Sequence, residues 1–298
     1  MIEPQVADPP RRKGPRIMQG DLFRKKLRSG ERVYMTHVVS LGNPVGAALT
    51  AGLQIDAVFV CTEHMPLDRT EVSMMSQFYT LHGIAPVVRI PFPCPRWAGM
   101  AIDGGAQGIV APYVETVEEV KTLVGAVRYR PIKGEMLAGI LDGSVEPNEK
   151  LQAFWNRFNR HTFLIIGIES VPAIRRLEEL VAIEGVDGVF LGPHDISCSM
   201  GIPEEYTHPD FVHTVCDVIG RCRRAGVGVG MQADLTAAQN KPFLEAGMNL
   251  MFHSADIVKM RETINAELAA LRQSYGDAYN RNGTPVSATA CFDPQGKK

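Results

Sequence analysis

The 298-residue sequence lacks the features that mark several whole classes of protein. No stretch approaches the roughly 18 consecutive apolar residues of a membrane span, and no apolar segment follows Arg11, Arg12 and Lys13 as a secretory signal would require. Neither charge is in excess: 31 Lys and Arg stand against 33 Asp and Glu, so there is no broad field to attract a polyanion or an anionic lipid surface. Cysteine is sparse, at positions 61, 94, 198, 216, 222 and 291, with no C-x-x-C pair and no zinc-finger spacing. No Gly-rich phosphate fingerprint follows the first strand-like run, which speaks against an open dinucleotide-binding sheet. These absences predict a soluble cytoplasmic protein with free thiols, no nucleic-acid partner and no membrane partner.

What is present is the composition of an ordinary globular protein, with 45% hydrophobic and 21% charged residues. The length suits a single α/β barrel, which takes about 250 residues. Pro4, Pro9, Pro10 and Pro15 among charged residues predict a surface arm over 1–20, and the stretch 280–298 reads as a tail, leaving one domain over 21–279. Within it, apolar β-branched runs alternate with segments of helical period. The runs are Val33 to Val38, Ala57 to Val60, Pro86 to Ile90, Gly108 to Ala111, Phe163 to Ile168, Val186 to Leu191, Val227 to Met231 and Met248 to Phe252. Thr116 and Glu119 form a capping-box pattern ahead of one helix, and a second helix is expected from Pro172 with Ile174, Leu177 and Val181 inward. Eight strands in alternation with helices predict a closed (β/α)8 TIM barrel. The segment 130–160 is too long for an ordinary connection and is expected to serve as a lid or subunit contact.

Active sites of such barrels lie at the C-terminal ends of the strands, so the residues after each run carry the chemistry. The second run ends in Cys61-Thr62-Glu63-His64, the third in Arg89, the fourth in Pro112, the fifth in Glu169 and the sixth in Gly192-Pro193-His194-Asp195. Glu169 and Asp195, hard carboxylates without companion histidines, suit a divalent ion such as Mg²⁺ or Mn²⁺ that keeps positions open for substrate oxygens. Either one alone would read as a solvated loop acid or a helix cap. Arg89 ends an apolar strand, where a guanidinium calls for an anion; a structural ion pair across the barrel mouth is the alternative. His64 can titrate near neutrality and act as a base, although a lone histidine is more often structural. Asp103 could orient His64 by accepting its second N–H, a pairing that spacing alone does not establish.

The order of these residues resembles that of the class II, metal-dependent pyruvate aldolases of the HpcH/HpaI type, such as the 4-hydroxy-2-oxoheptanedioate aldolases. The resemblance spans roughly residues 20–275 and rests on Glu184 to Ser197 with its core Gly192-Pro193-His194-Asp195. It rests also on Ile168-Glu169-Ser170, Glu63-His64, Val87-Val88-Arg89 and Gly105 to Pro112. It implies a barrel of the phosphoenolpyruvate/pyruvate-domain type and a carbon–carbon lyase acting on a 4-hydroxy-2-oxo acid to give pyruvate, or a related 2-oxo acid, and an aldehyde. It also implies Glu169 and Asp195 as metal ligands, with Mg²⁺ first and Mn²⁺ or Co²⁺ as alternatives. Arg89 would sit on the keto oxygen and His64 with Asp103 would form a base dyad. The backbone of Gly192, Pro193, His194 and Asp195, with Pro112, would receive the substrate, and the assembly would be a hexamer, a trimer of dimers.

Three departures stand out. Cys61 occupies a position where these aldolases usually carry aspartate, Gly167 one where many carry glutamine, and the stretch from Arg128 to Met136 lacks the usual Arg-Gly after its Tyr-x-Pro core. They predict a bulkier or less polar acceptor. Two rival readings are a relative that decarboxylates oxaloacetate or condenses its enolate with an unusual acceptor, and a silent barrel kept for binding.

Overall fold

The eight runs rich in valine, isoleucine and phenylalanine fold as strands, because such side chains suit a pleated surface covered on both faces. The computed structural model describes residues 19–232 and 235–276, so most of the expected arm and all of the expected tail lie outside the described residues. In chain order come α1 (Gln19–Ser29), β1 (Val33–His37), α2 (Pro44–Thr50), β2 (Ala57–Cys61), α3 (Arg69–Leu81), β3 (Ala85–Arg89), α4 (Pro95–Asp103) and β4 (Gly108–Ala111). Then follow α5 (Val117–Arg128), α6 (Gly134–Asp142), α7 (Glu149–Phe158), β5 (Phe163–Ile168), α8 (Val171–Arg175), α9 (Leu177–Val181), β6 (Val186–Leu191) and α10 (Pro193–Ser199). The last are α11 (Pro209–Arg224), β7 (Gly228–Met231), α12 (Ala237–Glu245), β8 (Leu250–Ala255) and α13 (Asp256–Tyr275).

All strands pair in parallel in sequence order, and β8 returns to β1, so the sheet closes into the expected (β/α)8 barrel. Every expected strand starts within two residues of an observed one. The capping box of Thr116 and Glu119 is present at α5. The helix expected from Pro172 is broken at Arg176 into the short α8 and α9. Residues 19 and 20 belong to α1 rather than to an arm, and the Gly20 amide is anchored on Gln107 Oε1 at 2.6 Å.

The barrel interior is filled in layers. At the N-terminal end α1 acts as a plug: Phe23 stacks on Phe163 with ring centroids 4.8 Å apart, and Leu27 fills space left by Gly188 and Gly228. A methyl group at Gly228 would come 2.2 Å from Leu27 Cγ, so glycine there is a requirement of close approach. Asp187, fully buried, fixes the plug by accepting from Arg24 Nε at 2.7 Å and Arg28 Nη1 at 3.3 Å. Above it Phe59, Phe190 and Phe252 form a floor, with centroids 4.9 Å apart for Phe59–Phe252 and 5.0 Å for Phe190–Phe252. The layer above this floor, at the C-terminal mouth, carries the buried Arg89 and Glu169.

The segment 130–160 folds as the helices α6 and α7. Helices of a βα unit run antiparallel to their strands, so the end of α5 and the start of β5 both lie at the N-terminal face. The connection between them is on the far side from the mouth, and the expectation that it forms a lid is corrected.

Helix α13 has one buried residue, Val258, while Met260, Ile264, Leu268, Leu271 and Tyr275 are exposed at spacings of three and four. That spacing lines them along one face. Among the described residues no helix is long and apolar enough to cross a membrane, and Cys61, Cys94, Cys198, Cys216 and Cys222 are free thiols.

Truncating the plug should be costly. Leu27→Ala is expected to lower unfolding stability by about 2–5 kcal/mol in urea melts, the range for a large buried aliphatic removed from a packed core. A loss below about 1 kcal/mol would show that α1 does not close the barrel.

Candidate active site

Alternation along each strand decides which side chains reach the mouth. The inward series Ala57, Phe59, Cys61 on β2, Ala85, Val87, Arg89 on β3, and Phe163, Ile165, Gly167 with Glu169 just past β5 bring Cys61, Arg89 and Glu169 to one level. Arg89 is 8% exposed. Its Nε and Nη2 donate to Cys61 Sγ at 3.3 and 3.0 Å, and its guanidinium carbon lies 5.4 Å from the Phe59 ring centroid. Glu63 Oε2 is 3.0 Å from Arg89 Nε. That contact is one of charge, because the Nε–H is directed at the sulfur and Glu63 Oε2 receives no hydrogen bond.

Glu169 is 4% exposed, and its Oε1 is buried without a hydrogen-bond partner. Burial, with Glu63 and Asp195 adding repulsion, pushes its carboxyl up to about 7, against the opposing pull of Arg89. The Tyr113 amide donates to the same carboxylate, and Tyr113 adopts a left-handed φ of 48°, a conformation that costs a bulky residue energy. Asp195 lies in the first turn of α10. A methyl group at Gly192 would come within 2.9 Å of Glu169 Cγ and 3.2 Å of Asp195 Oδ2, so the two acids flank a bare backbone.

These features fit a divalent cation. A buried carboxylate oxygen without a donor, crowded by two further carboxylates, is stabilised by a positive charge. Among the described residues no set of three His, Cys, Asp or Glu is arranged to hold a metal. Glu169 and Asp195 would therefore hold it as a pair, and the remaining positions would be left to water or substrate oxygens.

His64 stands at the rim, its Nε2 3.8 Å from Glu63 Oε2 and its amide donating to Cys61 Sγ at 3.3 Å. Burial and Arg89 lower its pKa, while Asp195 opposes them. The expected His64–Asp103 dyad is not formed within the chain. Asp103 ends α4, which runs back toward the N-terminal face, and its exposed carboxylate pairs with Arg130 beyond the end of α5. Direction along the helix, invisible in residue spacing, separates the two. His194 faces Cys198 and Glu204, with Nε2 4.0 Å from the sulfur and Nδ1 3.8 Å from Glu204 Oε1. Pro112 is buried, with its Cα against Gly167.

Gly167 is no simple gap. A methyl group there would meet Glu169 Oε1 at 2.6 Å and Ala111 O at 2.9 Å, so the space a longer side chain would use is taken by the Glu169 carboxylate. One residue of the mouth, His37, escapes the sequence pattern, and a second, Glu63, is given no role by it. His37 ends β1, is 5% exposed and sets its ring edge-on to Phe59 at 5.3 Å. Burial, Arg89 and His64 lower its pKa to about 4 against an opposing pull from Asp256, so it is neutral at physiological pH. The inward series Val33, Met35, His37 was the available signal. Glu63 was legible only as part of the Glu63-His64 pair, and its place against Arg89 depends on the β2–α3 turn.

Comparison with known proteins identifies the family. The sequence profile of the HpcH/HpaI aldolase/citrate lyase family matches residues 37–253. The chain is 30% identical over 254 residues to the hydroxypyruvate/pyruvate aldolase of Roseovarius nubinhibens, covering 84% of this chain and 96% of that one. It is 33% identical over 213 residues to the pyruvate aldolase of Rhizobium etli, covering 70% and 81%. The crystal structure of an HpcH/HpaI aldolase from Desulfitobacterium hafniense superposes with a TM-score of 0.71 at 24% identity, over 87% of this chain and 98% of that one. With a closed parallel barrel and a profile match over residues 37–253, the chain belongs to the HpcH/HpaI aldolase/citrate lyase family.

Proposed function

We propose that the protein is a metal-dependent aldolase that cleaves or forms the bond between a pyruvate-like 2-oxo acid and an aldehyde. The observation that carries this reading is the buried, unbonded Glu169 Oε1 facing the same space as Asp195 and Arg89. The relatives named pyruvate and hydroxypyruvate aldolases support the substrate class.

A divalent ion, held by Glu169 and Asp195, would supply Lewis-acid polarisation of the 2-oxo group. The chain's own residues do the rest. Arg89 directs its guanidinium at the keto oxygen and stabilises the negative charge that develops there as the carbon–carbon bond breaks. Cys61 holds that guanidinium without neutralising it. His64 takes the proton from the hydroxyl of the bond to be cleaved, and returns it in the synthetic direction. The backbone of Gly192 to Asp195 opens α10 without a side-chain cap, which leaves it available to the substrate carboxylate. Phe92 and Tyr113, both exposed on the loops after β3 and β4, favour an acceptor less polar than a short hydroxyaldehyde.

The test is turnover of pyruvate or oxaloacetate with a panel of aldehydes, after chelation and after return of Mg²⁺, Mn²⁺ or Co²⁺. Activity is expected to vanish on chelation and to return with metal. Glu169→Gln and Asp195→Asn should each lower kcat by about a hundredfold or more while the melting curve is retained. Metal-independent turnover, or none with any aldehyde, would overturn the reading.

Gly192→Ala is expected to weaken Mn²⁺ affinity by about tenfold, because the added methyl forces the Glu169 side chain to move; isothermal titration checks it. Unchanged affinity would place the ion elsewhere.

The apolar stripe of α13 calls for cover, and we assign it to a second copy of the chain within a hexamer. Leu268→Glu with Leu271→Glu should lower the mass seen by light scattering. A parent protein that is monomeric at micromolar concentration would refute the assignment.

A further inference from the structure

Arg89 is a buried cation among three carboxylates. Its field reaches Glu169, whose Oε1 lacks a donor, and Glu63 lies 3.0 Å from its Nε. A guanidinium prefers a bidentate carboxylate, and Glu169 is the carboxylate that could offer it one if the guanidinium turned that way. Such a pair would occupy the very oxygen that the proposed function needs for a cation, and would withdraw the arginine from the substrate.

The structure shows what stands against this rotation. Cys61 Sγ accepts two N–H groups of Arg89, at 3.3 and 3.0 Å, and so sets the direction of the fork. The sulfur is a weak acceptor with no formal charge as a thiol. The negative charge on that side of Arg89 comes from Glu63, which sits two residues along and is buried at its Oε2. Aspartate at position 61 would supply direction and charge together. In this chain the two are divided between a sulfur and a neighbouring glutamate.

We infer that Glu63 is a positioning residue, which acts with the Cys61 thiol to hold the Arg89 guanidinium off the Glu169–Asp195 pair. The inference rests on the proposed function for its kinetic readout. It assigns to Glu63 no contact with substrate and no proton transfer.

The experiment follows exchange of the pyruvate methyl protons in D₂O by NMR, at saturating Mg²⁺, alongside Mn²⁺ affinity by titration. Glu63→Gln is isosteric and should lower the exchange kcat by about tenfold or more, leave KM for pyruvate within about twofold, and weaken Mn²⁺ binding as Arg89 moves onto Glu169. Glu63→Asp, which keeps the charge, should lose less. In the Cys61→Asp background the carboxylate at 61 takes over, so adding Glu63→Gln should cost no more than about threefold. In the Arg89→Met background Glu63→Gln should have no further effect on exchange. The inference is overturned if Glu63→Gln leaves kcat unchanged, or if it costs the same with Arg89 absent as with Arg89 present. Absence of metal-dependent exchange in the parent protein would overturn the proposed function instead, a result that involves no Glu63 variant.

Discussion

A buried guanidinium must be surrounded by negative charge, and in this barrel that requirement organises the mouth. Arg89 rises from an apolar strand above a floor of three phenylalanines, where a lone positive charge would be strongly destabilising. Glu63, Glu169 and Asp195 gather around it and overcompensate. One positive and three negative groups leave two negative charges with all three ionised. A site of that balance either keeps a carboxyl protonated, as the raised pKa of Glu169 indicates for the protein alone, or takes up a divalent ion. The same imbalance thus disfavours the bare site and favours the loaded one.

The fold contributes rigidity. The α1 plug, tied down by Asp187, and the phenylalanine floor leave no passage through the barrel, so substrate can approach only from the C-terminal side. The β1–α2 turn is held at that side as well: the Asp256 carboxylate accepts from the amides of Val39, Ser40 and Leu41 at 3.0, 3.0 and 2.9 Å. His37, at the base of that turn, is therefore fixed in place as a neutral imidazole.

Strands were legible because each is a short apolar run between turn residues, and their ends named Arg89, Glu169 and Asp195 because the barrel places its chemistry there. What was not legible depends on direction and on close approach. Asp103 is near Arg89 in sequence, yet α4 carries it to the opposite face, where Arg130 meets it. The 130–160 segment looks like a lid by length, but the antiparallel course of α5 sets it at the other end of the barrel. His37 was hidden inside a run valued for its apolar residues, although its alternation already pointed inward. The value of glycine at 167 and 192 lies in the Glu169 side chain that fills the space beside both, and no single-sequence pattern reports a side chain from another position.

Were Gly167 an empty niche, it would enlarge the pocket; instead the Glu169 carboxylate occupies it, held from one side by the Tyr113 amide and left open on the other. The space beside position 167 is therefore polar although the residue itself is glycine. Cys61 sets the hydrogen-bond direction of Arg89 without a formal charge as a thiol, and Glu63 supplies the negative charge beside it. In the proposed reaction a guanidinium held in this way is directed without being taken up by a single carboxylate, which suits an oxygen that becomes negative. The exposed Phe92 and Tyr113 at the rim of the site fit the less polar acceptor of that proposal, as Arg89 fits its oxygen.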